Sequence, residues 1–274
     1  MGGIIFILPA LLMAPIFLTK ATPLGYVALA AAVAYGLLGF LDDFLKVKRA
    51  KNLGLRAYQK FIGQGGIAIL VAVFYYMANP DGRMFVPFWN HTVDIGWGII
   101  PLTILILVAT TNSVNLTDGV DGLAGTVSLA YVIFIGVLMA FVSKIMPIEQ
   151  SGALLALCAV TAGGLLCYLL FNTNKARVFM GDTGSLYLGG LIATVSLFAG
   201  LGLFIVILGV MFVLSAVSDI IQVLYFKLTH GKRVFRMAPF HHHLEKCGWT
   251  EARIVMLYLT ITALAGTICI LTLI

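Results

Sequence analysis

Residues 97–122 read WGIIPLTILILVATTNSVNLTDGVDG. From Trp97 to Thr111 nothing is charged, and then Asn112, Asn115, Asp118 and Asp121, with Gly119 and Gly122 among them, interrupt the apolar run. A helix crosses the hydrocarbon core of a bilayer with about 20 apolar residues, so the first part reads as a short membrane span. The second part puts two carboxylates and two amides at its end, where charge persists only beside water, a partner or a cation.

Outward from this stretch the same alternation recurs. Of 274 residues, 61% are hydrophobic and 10% charged, against roughly 25% charged in a soluble domain. Apolar runs at residues 3–19, 23–41, 58–78, 97–111, 123–142, 151–171, 185–199, 203–228 and 252–273 give nine candidate spans. The expected fold is an all-α polytopic membrane protein, one domain over residues 1–274. Met1-Gly2-Gly3 offers neither a basic leader region nor a small-residue cleavage site, so the first run reads as a retained span. Cys158, Cys167, Cys247 and Cys269 lack metal-site spacing and are assigned to packing. The net charge of +6 does not point to nucleic acid, because the basic residues sit in short segments between apolar runs. Anionic headgroups of the lipid bilayer and phosphorylated substrates are the expected partners.

Nine crossings place alternate loops on opposite sides. Lys46, Lys48, Arg49, Lys51, Arg56, Lys60, Lys175, Arg177, Lys227, Lys232, Arg233, Arg236, Lys246 and Arg253 fall on one side, and Lys20, Arg83 and Lys144 on the other. The positive-inside rule makes the basic side cytosolic, with the N-terminus inside and the C-terminus outside. Asp42, Asp43, Asp118, Asp121, Asp182, Asp219, Glu245 and Glu251 fall on that same side, while Asp81, Asp94 and Glu149 lie outside. In the outer segment 79–97, the turn Pro80-Asp81-Gly82, the run 84–88, Asn90-His91 and the run 92–95 predict a small β-hairpin, read as a structural lid.

Four constellations carry chemistry. Asp42-Asp43, closing the second run, reads as a solvated helix end or a cation site; if the helix continues, Lys46 shares a face with Asp42. Residues 112–122 read as a turn or as oxygen ligands for a hard cation or a ribose. An EF-hand is excluded by the acid spacing and the missing final Glu. In residues 171–185, Asp182 or Thr183 suits an N-cap of the seventh span, a position that also favours phosphate or metal, with Gly181 and Gly184 allowing close backbone approach. Residues 231–245 hold Lys232, Arg233 and Arg236, then His241, His242 and His243. A basic membrane-surface patch and a zinc site are the alternatives to imidazoles and cations that bind a diphosphate. All four fall on the side marked cytosolic, as a Mg²⁺-assisted phosphoryl-transfer site requires.

These stretches resemble the signatures of the MraY family, the phospho-MurNAc-pentapeptide translocases of the polyprenyl-phosphate N-acetylhexosamine-1-phosphate transferase superfamily. Met1-Gly2-Gly3 is similar to the end of TPTMGG, residues 42–46 to DDxxK, 115–122 to NLTDGLDG, 178–186 to VFMGDxGSL and 241–249 to HHHxExxGW. The family fold implies ten all-helical spans, about nine of them in this chain, with a cytosolic active-site cleft and a small extracytoplasmic β-hairpin. By this resemblance the chain lacks the first family span and the Thr-Pro-Thr before Met1. Lys175 replaces a common Pro, and Ser215 and Asp219 stand where Glu and Val are frequent.

By this resemblance Asp182 binds Mg²⁺ with Asp42 and Asp43 near it, and Lys46 and His241 contact phosphates. Asn115, Asp118, Asp121 and Asn172 complete the metal, nucleotide and sugar surroundings, with Lys60, Gln222, His242 and His243 as further substrate contacts. The implied reaction moves phospho-MurNAc-pentapeptide from UDP-MurNAc-pentapeptide to undecaprenyl phosphate, giving lipid I and UMP in peptidoglycan biosynthesis. Asp42 is expected to accept the acceptor's proton in a single displacement, with a phospho-aspartyl route as the alternative. The setting is the bacterial cytoplasmic membrane, and a homodimer is expected. A UDP-GlcNAc transferase is the rival within the enzyme class. A secondary transporter is the rival outside it, disfavoured because the acids gather at one surface rather than at the midplane.

Overall fold

The computed structural model describes residues 1–18, 22–49, 54–89, 91–145, 151–173 and 175–273, with only the backbone described for 143–145. Lys20, Lys51 and Glu149, used in the side assignment, and Asn90 of the expected hairpin lie outside the described residues, as does the Lys144 side chain. Every expected run is helical: α1 (Ile4–Phe17), α2 (Pro23–Arg49), α3 (Ala57–Ala78), α4 (Ile99–Thr117), α5 (Leu123–Ile145), α6 (Ser151–Asn172), α7 (Gly181–Phe198), a short α8 (Ile205–Leu208) leading into α9 (Val210–Leu228), and α11 (Glu251–Leu271). The remaining helix, α10 (Phe240–Lys246), carries the three histidines. Among the described residues, seven of these helices can cross a membrane by length and composition. The exceptions are the short α8 and α10, α1, with 14 residues and Pro9 and Pro15 inside it, and α7.

The short α7 is the centre of the bundle. Every residue from Thr183 to Phe198 is buried, and its main neighbours are α2 and α4. Lipid supplies no hydrophobic force between helices, so close packing through small residues has to hold such a bundle. A side chain at Gly39 of α2 would run into the Asp182 carbonyl, and one at Gly190 would meet the Tyr35 ring at 2.6 Å. Thr111 and Thr194 return their hydroxyls to backbone carbonyls one turn back, at 2.8 Å each, so their polar atoms need no other partner.

The helices alternate in direction, which sorts the loops to two ends. At one end β1 (Arg83–Val86) pairs antiparallel with β2 (His91–Asp94), Arg83 facing Asp94, and the Arg83 Nε lies 3.0 Å from Asp94 Oδ1. Met84 and Phe85 are buried while β2 is exposed throughout. The Phe85 amide donates to the Gly200 carbonyl at 2.9 Å, fixing the hairpin beneath the C-terminal end of α7. Asp42, Asp118, Asn172, Asp182 and the histidines of α10 gather at the opposite end.

Several boundaries differ from expectation, each for a physical reason. The second span does not stop at Leu41 but runs to Arg49, because Lys46 and neighbouring acids neutralise one another. The polar stretch after Thr111 is not a turn until Asp118: α4 continues to Thr117, with Ser113 and Thr117 bonded back to Ala109 and Ser113 carbonyls. The eighth run is broken at Gly209, where an added side chain would meet the Ile205 carbonyl at 2.6 Å.

The crossing of α2 and α7 yields a paired test. Gly39→Ala should lower stability by about 1–3 kcal/mol, the range for overpacking a filled contact. Gly163→Ala, on an exposed face of α6 with open space around it, should be neutral or slightly stabilising. Thermal melting of both variants in detergent reads the difference.

Candidate active site

The site is built where α2 ends and α7 begins. One helical turn separates Asp42 from Lys46, whose Nζ lies 2.6 Å from Asp42 Oδ2 and 3.0 Å from Asp182 Oδ2. From the first turn of α3, Lys60 Nζ reaches Asp182 Oδ2 at 3.1 Å and Asn115 Oδ1 at 3.5 Å. Asn115 donates to Asp182 Oδ1 at 2.7 Å and to Ser185 Oγ at 2.8 Å. Asp182 is thus surrounded by donors from three other helices.

The expected local N-cap of α7 does not form through Asp182 or Thr183. Met180 holds the cap position without a side-chain bond, and Asp43 of α2 acts in its place. Its carboxylate accepts from the Asp182 amide at 3.2 Å, the Thr183 amide at 3.0 Å and the Thr183 hydroxyl at 2.6 Å. A carboxylate on the first amides of a helix also meets the positive end of its dipole. Asp42 is 3% exposed and accepts from the Leu55 amide at 2.6 Å.

Ligand atoms of Asp42, Asp43 and Asp182 all lie within 4.8 Å of one another, a grouping that could hold a metal ion. Two ammoniums answer three carboxylates, so the cluster keeps an excess of negative charge. Carboxylate and amide oxygens are the donors that hard divalent cations take.

A cleft of about 320 Å³ opens beside the cluster, lined by Asp43, Lys46, Asn115, Asp118, Asp121, Asn172, Phe179 and Asp182 among others. Burial, reinforced by the Asp182 and Asp43 carboxylates, pushes Asp118 up to about 7. Asn172 ties the walls together, accepting from the Gly122 amide at 3.0 Å and donating to the Val178 carbonyl at 2.8 Å. Asp121 accepts from the Ala176 amide at 2.7 Å. Part of the expected sugar and nucleotide set therefore shapes the loops.

The imidazoles divide. A side chain at Gly119 would collide with His241 Nε2 and would meet His242 Nε2 at 3.0 Å, so both rings face the cleft loop across a glycine that must remain small. His241 is fully buried and neither ring nitrogen has a hydrogen-bond partner among the described residues; burial, then His242, lower it to about 3. His242 Nδ1 pairs with Glu245 at 2.5 Å. His243 instead accepts from the Arg236 amide at 3.1 Å and packs on Phe235 and Phe240. Gln222 accepts from the Val234 and Phe235 amides and donates to the Phe235 carbonyl. His243 and Gln222 are thus braces of the basic loop, and neither lines the cleft. Sequence reading passed over Leu55, Ser185 and Phe179. The first acts through its backbone, the second through Asn115, and only the third left a signal, an aromatic two residues before Gly181.

An acid cluster held by lysines at one end of a membrane bundle is a donor set that suits a metal ion and phosphate groups. Residues 25–200, which carry all three carboxylates, match the family model described as glycosyl transferase family 4. Among curated relatives, phospho-N-acetylmuramoyl-pentapeptide-transferase of Clostridium kluyveri is 44% identical over 267 residues, 96% of this chain and 81% of the relative. The enzyme of that name from Listeria welshimeri is 42% identical over 264 residues, covering 94% and 78%. That of Clostridium botulinum strain Alaska E43 is 44% identical over 262 residues, covering 96% and 78%. The chain belongs to glycosyl transferase family 4 and, within it, to the phospho-N-acetylmuramoyl-pentapeptide-transferases. It is a multi-pass membrane phosphosugar transferase of peptidoglycan synthesis.

His241 gives a pH test. An imidazole held at about 3 in the fold, against 6.5 when free, leaves the unfolded chain binding the extra proton, so stability falls as pH drops below 6.5. His241→Gln should lose less stability than the parent between about pH 6.5 and 4. Melting curves across that range in detergent show whether the two profiles diverge.

Proposed function

We propose that this protein transfers phospho-MurNAc-pentapeptide from UDP-MurNAc-pentapeptide to undecaprenyl phosphate, releasing UMP and forming lipid I. The observation that carries the reading is the meeting of Asp42, Asp43 and Asp182 within 4.8 Å under two lysines at the basic end of a membrane bundle. The names of the relatives support the choice of donor. The clustering of Lys and Arg at this end supports a cytosolic site in the bacterial cytoplasmic membrane.

The donor atoms fit Mg²⁺, with Asp182, Asp42 and Asp43 as the residues to hold it. Bound there, it would neutralise charge on the diphosphate and on departing UMP. The protein's own groups do the rest. Lys46 and Lys60, now paired with Asp182, are placed to take phosphate oxygens of donor and acceptor. Asp118, Asp121 and Phe179 face the nucleotide, and the buried neutral His241 can donate or accept one hydrogen bond at the cleft wall. Asp42 takes the remaining proton of the acceptor phosphate. An acceptor oxygen then bonds to the β-phosphorus of the donor as the bond from that phosphorus to the bridging oxygen breaks, and UMP leaves with the bridging oxygen.

Purified protein given UDP-MurNAc-pentapeptide, undecaprenyl phosphate and Mg²⁺ should release UMP, and EDTA should stop it. Asp182→Asn should lower the rate at least about 100-fold, the scale for losing one preorganised electrostatic group. UMP release from UDP-GlcNAc and not from the muramyl donor would overturn the reading.

A further inference from the structure

A second cavity of about 470 Å³ adjoins the cleft, lined by Asp121, Lys175, Thr250, Glu251, Val255 and Met256 among others. Asp121 lines both spaces, so they share a wall. Its carboxylate holds the Ala176 amide at 2.7 Å, which ties that wall to the backbone carrying Lys175. Lys175 adopts φ +78°, a left-handed conformation that a lysine occupies only when its surroundings impose it. Its side chain is exposed and makes no ion pair among the described residues.

We propose that this cavity receives the peptide stem of the donor while the nucleotide and diphosphate occupy the cleft. The inference rests on the donor proposed above. A nucleotide, a sugar and five amino acids exceed a cleft of about 320 Å³, so part of the donor must lie beyond it, and the cavity across Asp121 adjoins the cleft. Its chemistry suits a peptide. Lys175 answers a carboxylate, Glu251 and Asp121 answer an amine or amide N–H, Thr250 offers a hydroxyl, and Val255 with Met256 gives a floor for small apolar side chains. An anionic lipid headgroup is the other occupant such a place at a membrane edge could take, but it carries no amide N–H groups for Asp121 and Glu251 to accept, as a peptide does.

Steady-state UMP release by the full chain separates these outcomes, with peptide-free UDP-MurNAc added as a competitive inhibitor. Lys175→Glu should raise KM for UDP-MurNAc-pentapeptide roughly 10-fold, the scale of one charge-assisted contact. It should leave kcat and the inhibition constant of UDP-MurNAc unchanged. Glu251→Gln should raise the same KM by a smaller factor. An unchanged KM in both variants, or an equal rise for the peptide-free inhibitor, would overturn the inference while leaving the transferase activity standing. Failure of the parent enzyme to use the muramyl donor would overturn the proposed function and this inference with it.

Discussion

The contact on which the structure depends is the meeting of α2 and α7 through charge. Asp43 closes the open amides of α7, Lys46 reaches across to Asp182, and Gly39 lets the two backbones touch. In a bundle surrounded by lipid, a carboxylate without a partner is expensive, and here each of the three has one. Because the partners come from α2, α3, α4 and α7, the bonds that make the acids tolerable also fix those helices relative to one another. Stability and site geometry therefore share one set of hydrogen bonds.

Much of this was legible in the sequence, and the exceptions are instructive. The nine apolar runs were visible because lipid demands them, and the segregation of acids and bases between loops already separated the two ends of the bundle. The central place of α7 was not visible. Its Gly, Ser and Thr content makes it look like a weak, short span, whereas those small residues are what admit it to the interior. The break at Gly209 and the continuation of α4 through Asn112 and Asn115 were also hidden, since both depend on where carbonyl groups find partners in three dimensions.

For the site, motif spacing brought Asp42, Asp43, Lys46 and Asp182 into view, and the fold joins them. Asn115 and Lys60 join them too, from α4 and α3. What spacing could not assign was the division between groups that face the cleft and groups that hold it open. Asn172 and Asp121 spend hydrogen bonds on loop backbones, Gln222 and His243 fasten the basic loop, and Asp43 serves as a helix cap while remaining within reach of a cation. A polar side chain in a motif announces that something must be bound; only the coordinates say whether that something is a substrate or the protein's own backbone.

The central claim is that the three carboxylates form one divalent-cation site shared by α2 and α7. Binding of Mn²⁺ to the purified protein, followed by electron paramagnetic resonance with Mg²⁺ as competitor, tests it without requiring turnover. The account predicts a bound Mn²⁺ signal that Mg²⁺ displaces and that Asp182→Asn removes, while Asp81→Asn, exposed beside the hairpin at the opposite end, retains it. Equal Mn²⁺ binding by the parent and the Asp182→Asn variant would contradict it.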